Sequence, residues 1–225
     1  MTNNTFLLKI RQKNEWTQEE LARIIGISRP TYIALEKGEG SMTVDQLNKL
    51  AEKLGCQPGD ILSEKIIDEN KYQEILLEAV RSGAGSDGKI TKTKLAKLIY
   101  LSDFGWYYQH LESLSGAQYR KLQQGPVPNY YFSAIDDLFE KGILNIEIKD
   151  NAQLISLTDA GKQLKSKNLK NEEIGFVKTV AKKWQGKRTN EIVAFTHQQL
   201  PYKICLIGEV IPYELITQQD PDYVY

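Results

Sequence analysis

The sequence predicts a mainly α chain in two parts: an N-terminal bundle of five short helices and a larger, mostly helical second domain with one small β-hairpin. Three observations carry this. Apolar residues recur at helical spacing from Phe6 to Leu54 and again from Leu95 to Trp106. Strict alternation appears in LNIEIK, where Leu144, Ile146 and Ile148 alternate with Asn145, Glu147 and Lys149, the period of a half-buried strand. A length of 225 residues exceeds what one small bundle needs and leaves chain for a second core.

The first part centres on TQEELARIIGISRPTYIALEKG, Thr17 to Gly38. Thr17 is an N-cap with Glu20 three residues on, a capping box, and Leu21, Ala22 and Ile25 fall on one helical face. Gly26 permits a sharp turn, Ile27 plugs the space between helices, and Ser28 caps a second helix whose first turn accepts Pro30. Tyr32 and Leu35 face inward, which turns Arg29, Pro30, Ile33 and Ala34 outward. This is a helix-turn-helix with Ser28 to Lys37 as its recognition helix. Any small bundle can contain two capped helices around a glycine; the flanking helices, with Phe6, Leu7 and Ile10 before and Leu47, Leu50, Ala51 and Leu54 after, make the pattern specific.

In this order and at these lengths the segment Thr5 to Leu62 resembles the phage-repressor (Cro-like, xenobiotic-response-element) family, with Gln18 through Glu36 and Gly38 as its motif. The resemblance implies that Gln18 contacts a phosphate or braces the recognition helix, and that Arg29, Pro30 and Ala34 touch bases. Arg29 is the strong base reader, able to grip a guanine with two parallel bonds. The DNA-facing candidates are Gln18, Ser28, Arg29, Pro30, Thr31, Ile33, Ala34 and Lys37, on a chain expected to dimerise on a palindromic double-stranded operator.

Composition narrows the functional classes. The 29 basic and 29 acidic residues cancel, so any DNA contact comes from a local patch rather than a global field. The N-terminus lacks the features of a secretory leader and no stretch is apolar for long enough to span a bilayer, which points to a cytoplasmic protein with no membrane partner. Cys56 and Cys205, with His110 and His197, show no zinc-ligand spacing, so no metal and no cofactor is expected. Neither a phosphate-cradling GxxxxGKS or GxGxxG loop nor a nucleophile elbow is present, and His197 has no partnered nucleophile and acid; the chain does not read as an enzyme.

The second part begins after SGAGSDGK, Ser82 to Lys89, whose glycines and serines read as a linker or hinge. Residues 66–91 are accordingly assigned as a connector containing a short helix over Asn70 to Arg81, flanked by domains at 1–65 and 92–216, with 217–225 as a flexible tail. From Thr91 a long helix carries Leu95, Leu98, Ile99 and Trp106 on one side, with Lys94 and Lys97 turned away from it. Gly125, Pro126 and Pro128 break the helical pattern before SAIDDLFEKGIL resumes it. Two strands around Asp150-Asn151 and a closing helix from LTDAGKQL follow, an arrangement that also looks like the end of a winged-helix domain, though that fold does not settle function. Nine cations lie between Lys162 and Arg188 against only Glu172 and Glu173, either a solvated face or a basic patch for an acidic partner.

The runs KLAKLIYLSDFGWYYQHL, YRKLQQGPVPNYYF, LFEKGIL, FTHQQLPYKI and VIPYELI, spread over Lys92 to Ile216, resemble the Panacea, or SocA-like antitoxin, domain. Gly125 and Pro126 match its GP signature and Thr196 and His197 its Thr-His pair; Leu122 and Gln124 stand where many members carry aromatics. The resemblance implies an antitoxin that neutralises a cognate protein toxin by direct binding and, with a helix-turn-helix in front, represses its own operon. Toxin-binding candidates are Trp106, Tyr107, Tyr119, Gly125, Pro126, Tyr130 and His197, exposed aromatics being common interface anchors and buried ones ordinary core. The alternatives are a stand-alone repressor whose second domain senses a small molecule, and an adaptor that delivers a partner to a protease.

Overall fold

The computed structural model describes residues 7–8, 11–12, 15–54, 58, 61, 67–128 and 130–225, which fall into two compact units, Met1–Ile66 and Ile67–Tyr225. The expected contributions of Phe6, Ile10 and Cys56, and the boundary placed at residue 65, lie outside the described residues.

In the first unit, α1 (Gln18–Ile25), α2 (Arg29–Glu36) and α3 (Val44–Leu54) follow the predicted order. Both capping-box bonds form: the Glu20 amide donates to Thr17 Oγ1 at 3.2 Å, and the Thr17 amide to Glu20 Oε2 at 2.7 Å. Gly26 adopts a left-handed conformation at φ 75°, which ends α1 and aims α2 across it. Leu21, Ala22, Ile25, Tyr32, Leu47, Leu50, Ala51 and Ile61 form the core, with Ile27 and Leu35 packed against it. Leu7, Leu8, Arg11 and Gln12 are helical before α1, as Pro58 and Ile61 are after α3.

The second unit is built round α5 (Lys92–His110), buried without a break from Lys94 to Trp106, so it is a central helix rather than an amphipathic surface one. Packed against it are α4 (Glu69–Gly83) and α8 (Asn171–Trp184). The expected hairpin is β4 (Leu144–Lys149) with β5 (Ala152–Leu157), Ile146 facing Ile155. The structure adds a third strand, β1 (Lys89–Thr91), antiparallel to β5 on its other edge. Residues after the central helix form a second hairpin, β2 (Tyr119–Leu122) with β3 (Gly125–Pro128), where the sequence indicated only a helix break. Its two prolines fall in β3, and the free edge of β2 is taken instead by residues 208–211, through Gly208 N to Lys121 O at 2.8 Å and Ile211 N to Tyr119 O at 2.8 Å. The remaining helices are α6 (Tyr131–Glu140), α7 (Asp159–Gln163), α9 (Thr189–Gln198) and α10 (Leu200–Ile204).

Two boundaries are corrected. Residues 67–91 are not a connector: α4 supplies Tyr72, Ile75, Leu76 and Val80 to the core, and β1 completes the sheet. Ser82 to Lys89 is a packed turn, with Gly83 so close to α5 that an added Cβ would sit 2.5 Å from Leu98 Cδ1, and with Ala84 O held by Gln185 Nε2 at 2.9 Å. Its glycines serve close approach and turn geometry, not flexibility. Nor is 217–225 a loose tail. Two short 3-10 turns, Tyr213–Gln218 and Pro221–Tyr223, carry the chain back over the unit, Val224 is 1 % exposed, and Gln199 Nε2 donates to both Tyr223 O (2.9 Å) and Val224 O (2.6 Å). Tyr225 rests edge-on against Phe176 over Gly105, where a Cβ would collide with its ring at 2.7 Å.

Candidate DNA-reading and partner-binding surfaces

On the recognition helix α2, Arg29, Pro30, Thr31 and the flanking Ser28 and Lys37 are exposed, and Ile33 and Ala34 half-buried. Ser28 caps the helix through the Thr31 amide (3.3 Å), and the two hydroxyls share a 2.7 Å bond. The opposite face holds a charge. Glu36 is buried one turn after Tyr32, and its carboxylate accepts from Arg11 Nε (2.8 Å), Gln18 Nε2 (2.9 Å) and Tyr32 Oη (3.3 Å). Burial opposes its ionisation, but the bonds from Arg11, Gln18 and Tyr32 outweigh it and hold the carboxyl below the usual carboxylate range. The Gln18 amide is used at both ends: its nitrogen is committed to Glu36, and its oxygen accepts from Arg29 Nη2 at 3.3 Å. A partly buried ion pair thereby orients the side chain best able to read a base. Sequence reading reached Gln18 and Arg29 and missed Arg11. The signal was present, since an acid four residues after Tyr32 on the inward face requires a partner.

The candidates in the second unit do not share one surface. Tyr119 is buried, donating to Asp103 Oδ2 at 3.0 Å; the same carboxylate accepts from Tyr213 Oη at 2.8 Å, the Leu114 and Ser115 amides at 2.8 and 3.2 Å, and Ser115 Oγ. Burial raises the Asp103 carboxyl in spite of these donors. Trp106 is nearly buried, stacked on His110 at 3.8 Å and edge-on to Phe176, and the half-buried Tyr107 stacks on Tyr213 at 5.3 Å. Tyr130 lies apart, against Tyr72 and Asp137.

Gly125, Pro126 and His197 do converge, on a lysine that sequence reading placed on the outward side of its helix. Lys97 is fully buried in the middle of α5, and its Nζ donates to Pro126 O at 2.9 Å. Desolvation pushes its ammonium down to about 7. Gly125, at φ +99°, closes so tightly over this side chain that a Cβ would stand 2.8 Å from Lys97 Cε and 3.1 Å from His197 Nε2. His197 stacks flat on Tyr202 at 4.3 Å, and burial, then the cations Lys97 and Lys121, lower its pKa. Gly125 and Pro126 are buried, so the pair shapes the backbone and presents no side-chain face outward. Among the described residues, no cluster of three His, Cys, Asp or Glu side chains is arranged to hold a metal ion, and no helix is long and apolar enough to cross a membrane.

Residues 7–61 match the helix-turn-helix family, and the match reaches curated proteins: the chain is 40 % identical over 70 residues to the control protein C.BamHI of Bacillus amyloliquefaciens, across 28 % of this chain and 85 % of that one. The chain belongs to the helix-turn-helix family. Behind that domain, residues 95–202 of this helix-turn-helix protein match the antitoxin SocA-like, Panacea domain. Neither family is an enzyme type. The helix-turn-helix protein is also 32 % identical over 80 residues to a putative HTH-type transcriptional regulatory protein of Thermococcus kodakarensis (34 % of this chain, 25 % of the relative). It is 35 % identical over 68 residues to the cryptic phage CTXphi transcriptional repressor RstR of Vibrio cholerae (29 % of this chain, 61 % of the relative). The chain thus spans about a quarter of the length of the first of these and less than two thirds of the second. No solved structure matches the chain.

Proposed function

We propose that this helix-turn-helix protein is a cytoplasmic antitoxin: its second unit neutralises a cognate protein toxin by direct binding, and its first unit, as a homodimer on a palindromic operator, represses the operon that encodes both. The observation that carries this is the presence on one chain of a helix-turn-helix unit, with Arg29 bonded to Gln18, and a stretch that matches the antitoxin SocA-like domain. Gln18, Ser28, Arg29, Pro30, Thr31, Ile33, Ala34 and Lys37 are the operator-facing residues, with Arg29 the base reader and Gln18 its support. A small-molecule sensor is less well supported, because the rings of Trp106 and Tyr107 that would line its cavity are closed against His110, Phe176 and Tyr213.

Co-expression tests the reading. Each neighbouring open reading frame is induced alone and then together with the full chain, and growth is scored. A neighbour that arrests growth alone and not in company of the chain is the expected result; absence of any toxic neighbour would remove the antitoxin reading.

A further inference from the structure

The aromatics singled out as partner contacts are mostly turned into the core, yet the same unit exposes a compact apolar surface elsewhere. From the last residue of α10 the chain reads Ile204-Cys205-Leu206-Ile207-Gly208-Glu209-Val210, and only Cys205 of these seven is buried. Leu206 is 69 % and Ile207 59 % exposed, with Ile204, Val210 and Leu122 of β2 exposed beside them. Leu122 joins the group because residues 208–211 run along β2 and Tyr202 Oη donates to Leu122 O at 2.9 Å. Isolated exposed apolar residues need no explanation; five gathered on one edge mark an interaction site.

The edge is held in place rather than loose. Lys121 Nζ donates to Cys205 O at 2.9 Å and lies 4.4 Å from the centre of the Tyr202 ring, whose other face carries His197. Arg120 Nη1 donates to Gly208 O at 2.8 Å. Gly125 and Pro126 pair with Leu122 and Lys121 across the same hairpin while closing over Lys97 and His197, so the GP pair acts as backing for this edge.

Charge says what covers it. Arg120, Lys121 and Lys203 border the patch, and among the described residues none of the three pairs with a carboxylate. Glu209, the acid in the segment, has its carboxylate engaged by the Leu206 amide at 2.6 Å. Resting on the antitoxin reading, we infer that the Leu122/Ile204–Val210 edge is the toxin-docking surface, and that its partner is a toxin face presenting an apolar contact bordered by Asp or Glu side chains. The apolar centre supplies affinity and the cationic border supplies register and encounter rate.

The experiment uses the full chain and the product of whichever adjacent open reading frame the wild-type chain rescues. Leu206→Asp with Ile207→Asp should abolish rescue and weaken binding of the purified pair by about thirtyfold or more, as loss of central interface anchors does, with the thermal midpoint unchanged. Lys203→Glu, at an exposed cation that cannot unfold the unit, should weaken binding less and reduce its dependence on salt. Rescue and affinity equal to wild type in these variants would overturn the surface while leaving the antitoxin reading standing. Loss of a homo-oligomer with rescue intact would also overturn it, assigning the edge to a second copy of this chain. Failure of the wild type to rescue against any neighbour would remove the antitoxin reading and this surface with it. If the double variant lowers the midpoint, Lys203→Glu decides: unchanged affinity and salt dependence overturn the proposal.

Discussion

The most deeply buried charges of the two units are satisfied in opposite ways, although the second unit also pairs Glu78 with Arg81 and Glu173 with Lys71. In the first, Glu36 is paid for with a cation: Arg11 lies 2.8 Å away, and Gln18 and Tyr32 complete the shell. In the second, Asp103 is surrounded by neutral donors and Lys97 by a single carbonyl, with no opposite charge bonded to either among the described residues. The difference follows from depth. The Glu36 cluster is near enough to the surface to stay ionised and hand its orientation to the half-buried Gln18 and the exposed Arg29, whereas α5 is enclosed, and enclosure favours neutral forms over ion pairs. Buried polarity in the first unit aims a side chain outward; in the second it fixes backbone, loops and hairpin.

The sharpest break of the comparison is Asp103→Ala. It orphans the buried Leu114 and Ser115 amides and leaves the Tyr119 and Tyr213 hydroxyls only the carbonyls of Ile99 and Ala117, and should cost the second unit about 3 kcal/mol in denaturant unfolding, with operator binding by the first unit unaffected. Glu36→Ala strands a partly exposed Arg11 and should cost the first unit about 2 kcal/mol, together with a loss of operator affinity because Gln18 is released. Arg29→Ala should leave both units folded and weaken operator binding by about 1–3 kcal/mol in a titration with duplex DNA if it reads a guanine; unchanged affinity would rule it out as a base reader.

The most gradual effect is in the pH profile. Lys97 has a folded pKa below its unfolded one, so between about pH 7 and the usual lysine range the unfolded chain binds more protons and stability rises with pH. His197, also lowered, adds a loss of stability as pH falls through the ordinary histidine range. From pH 7 to 8.5, below the region where buried tyrosines and Cys205 oppose the trend, the second unit should gain up to about 1.4 kcal/mol per pH unit, and Lys97→Met should flatten that slope. The first unit should show no such rise, since the lowered Glu36 carboxyl keeps its contribution above the ordinary carboxylate range and loses it only in more acid solution.

Legibility in the sequence tracks how local the determining interactions are. Thr17 to Lys37 could be read residue by residue because its caps and turn are satisfied within four residues, as at Thr17 with Glu20, Gly26, and Ser28 with Thr31. The strand alternation from Leu144 was equally plain. The glycines at 83 and 125 misled as linker and turn, because close approach to Leu98 or Lys97 leaves the same letter as flexibility. Residues 217–225 read as a tail because their anchor, Gln199, is some twenty residues distant and no local pattern announces it. The inward set of aromatics was set by Asp103, and the place of Lys97 by α5 being enclosed on every side, neither of which a single-face periodicity can express.

The hydrogen bond from Tyr213 to Asp103 joins residues 110 apart in the chain, and the Val224 carbonyl is held by Gln199. Such distant closures slow folding and cannot form until both ends have left the ribosome. The helix-turn-helix unit, bonded largely within its own short span, is therefore complete early in synthesis, while the second unit waits for residues 213–224. A growing chain finishes its helix-turn-helix before the core of the unit behind it is closed.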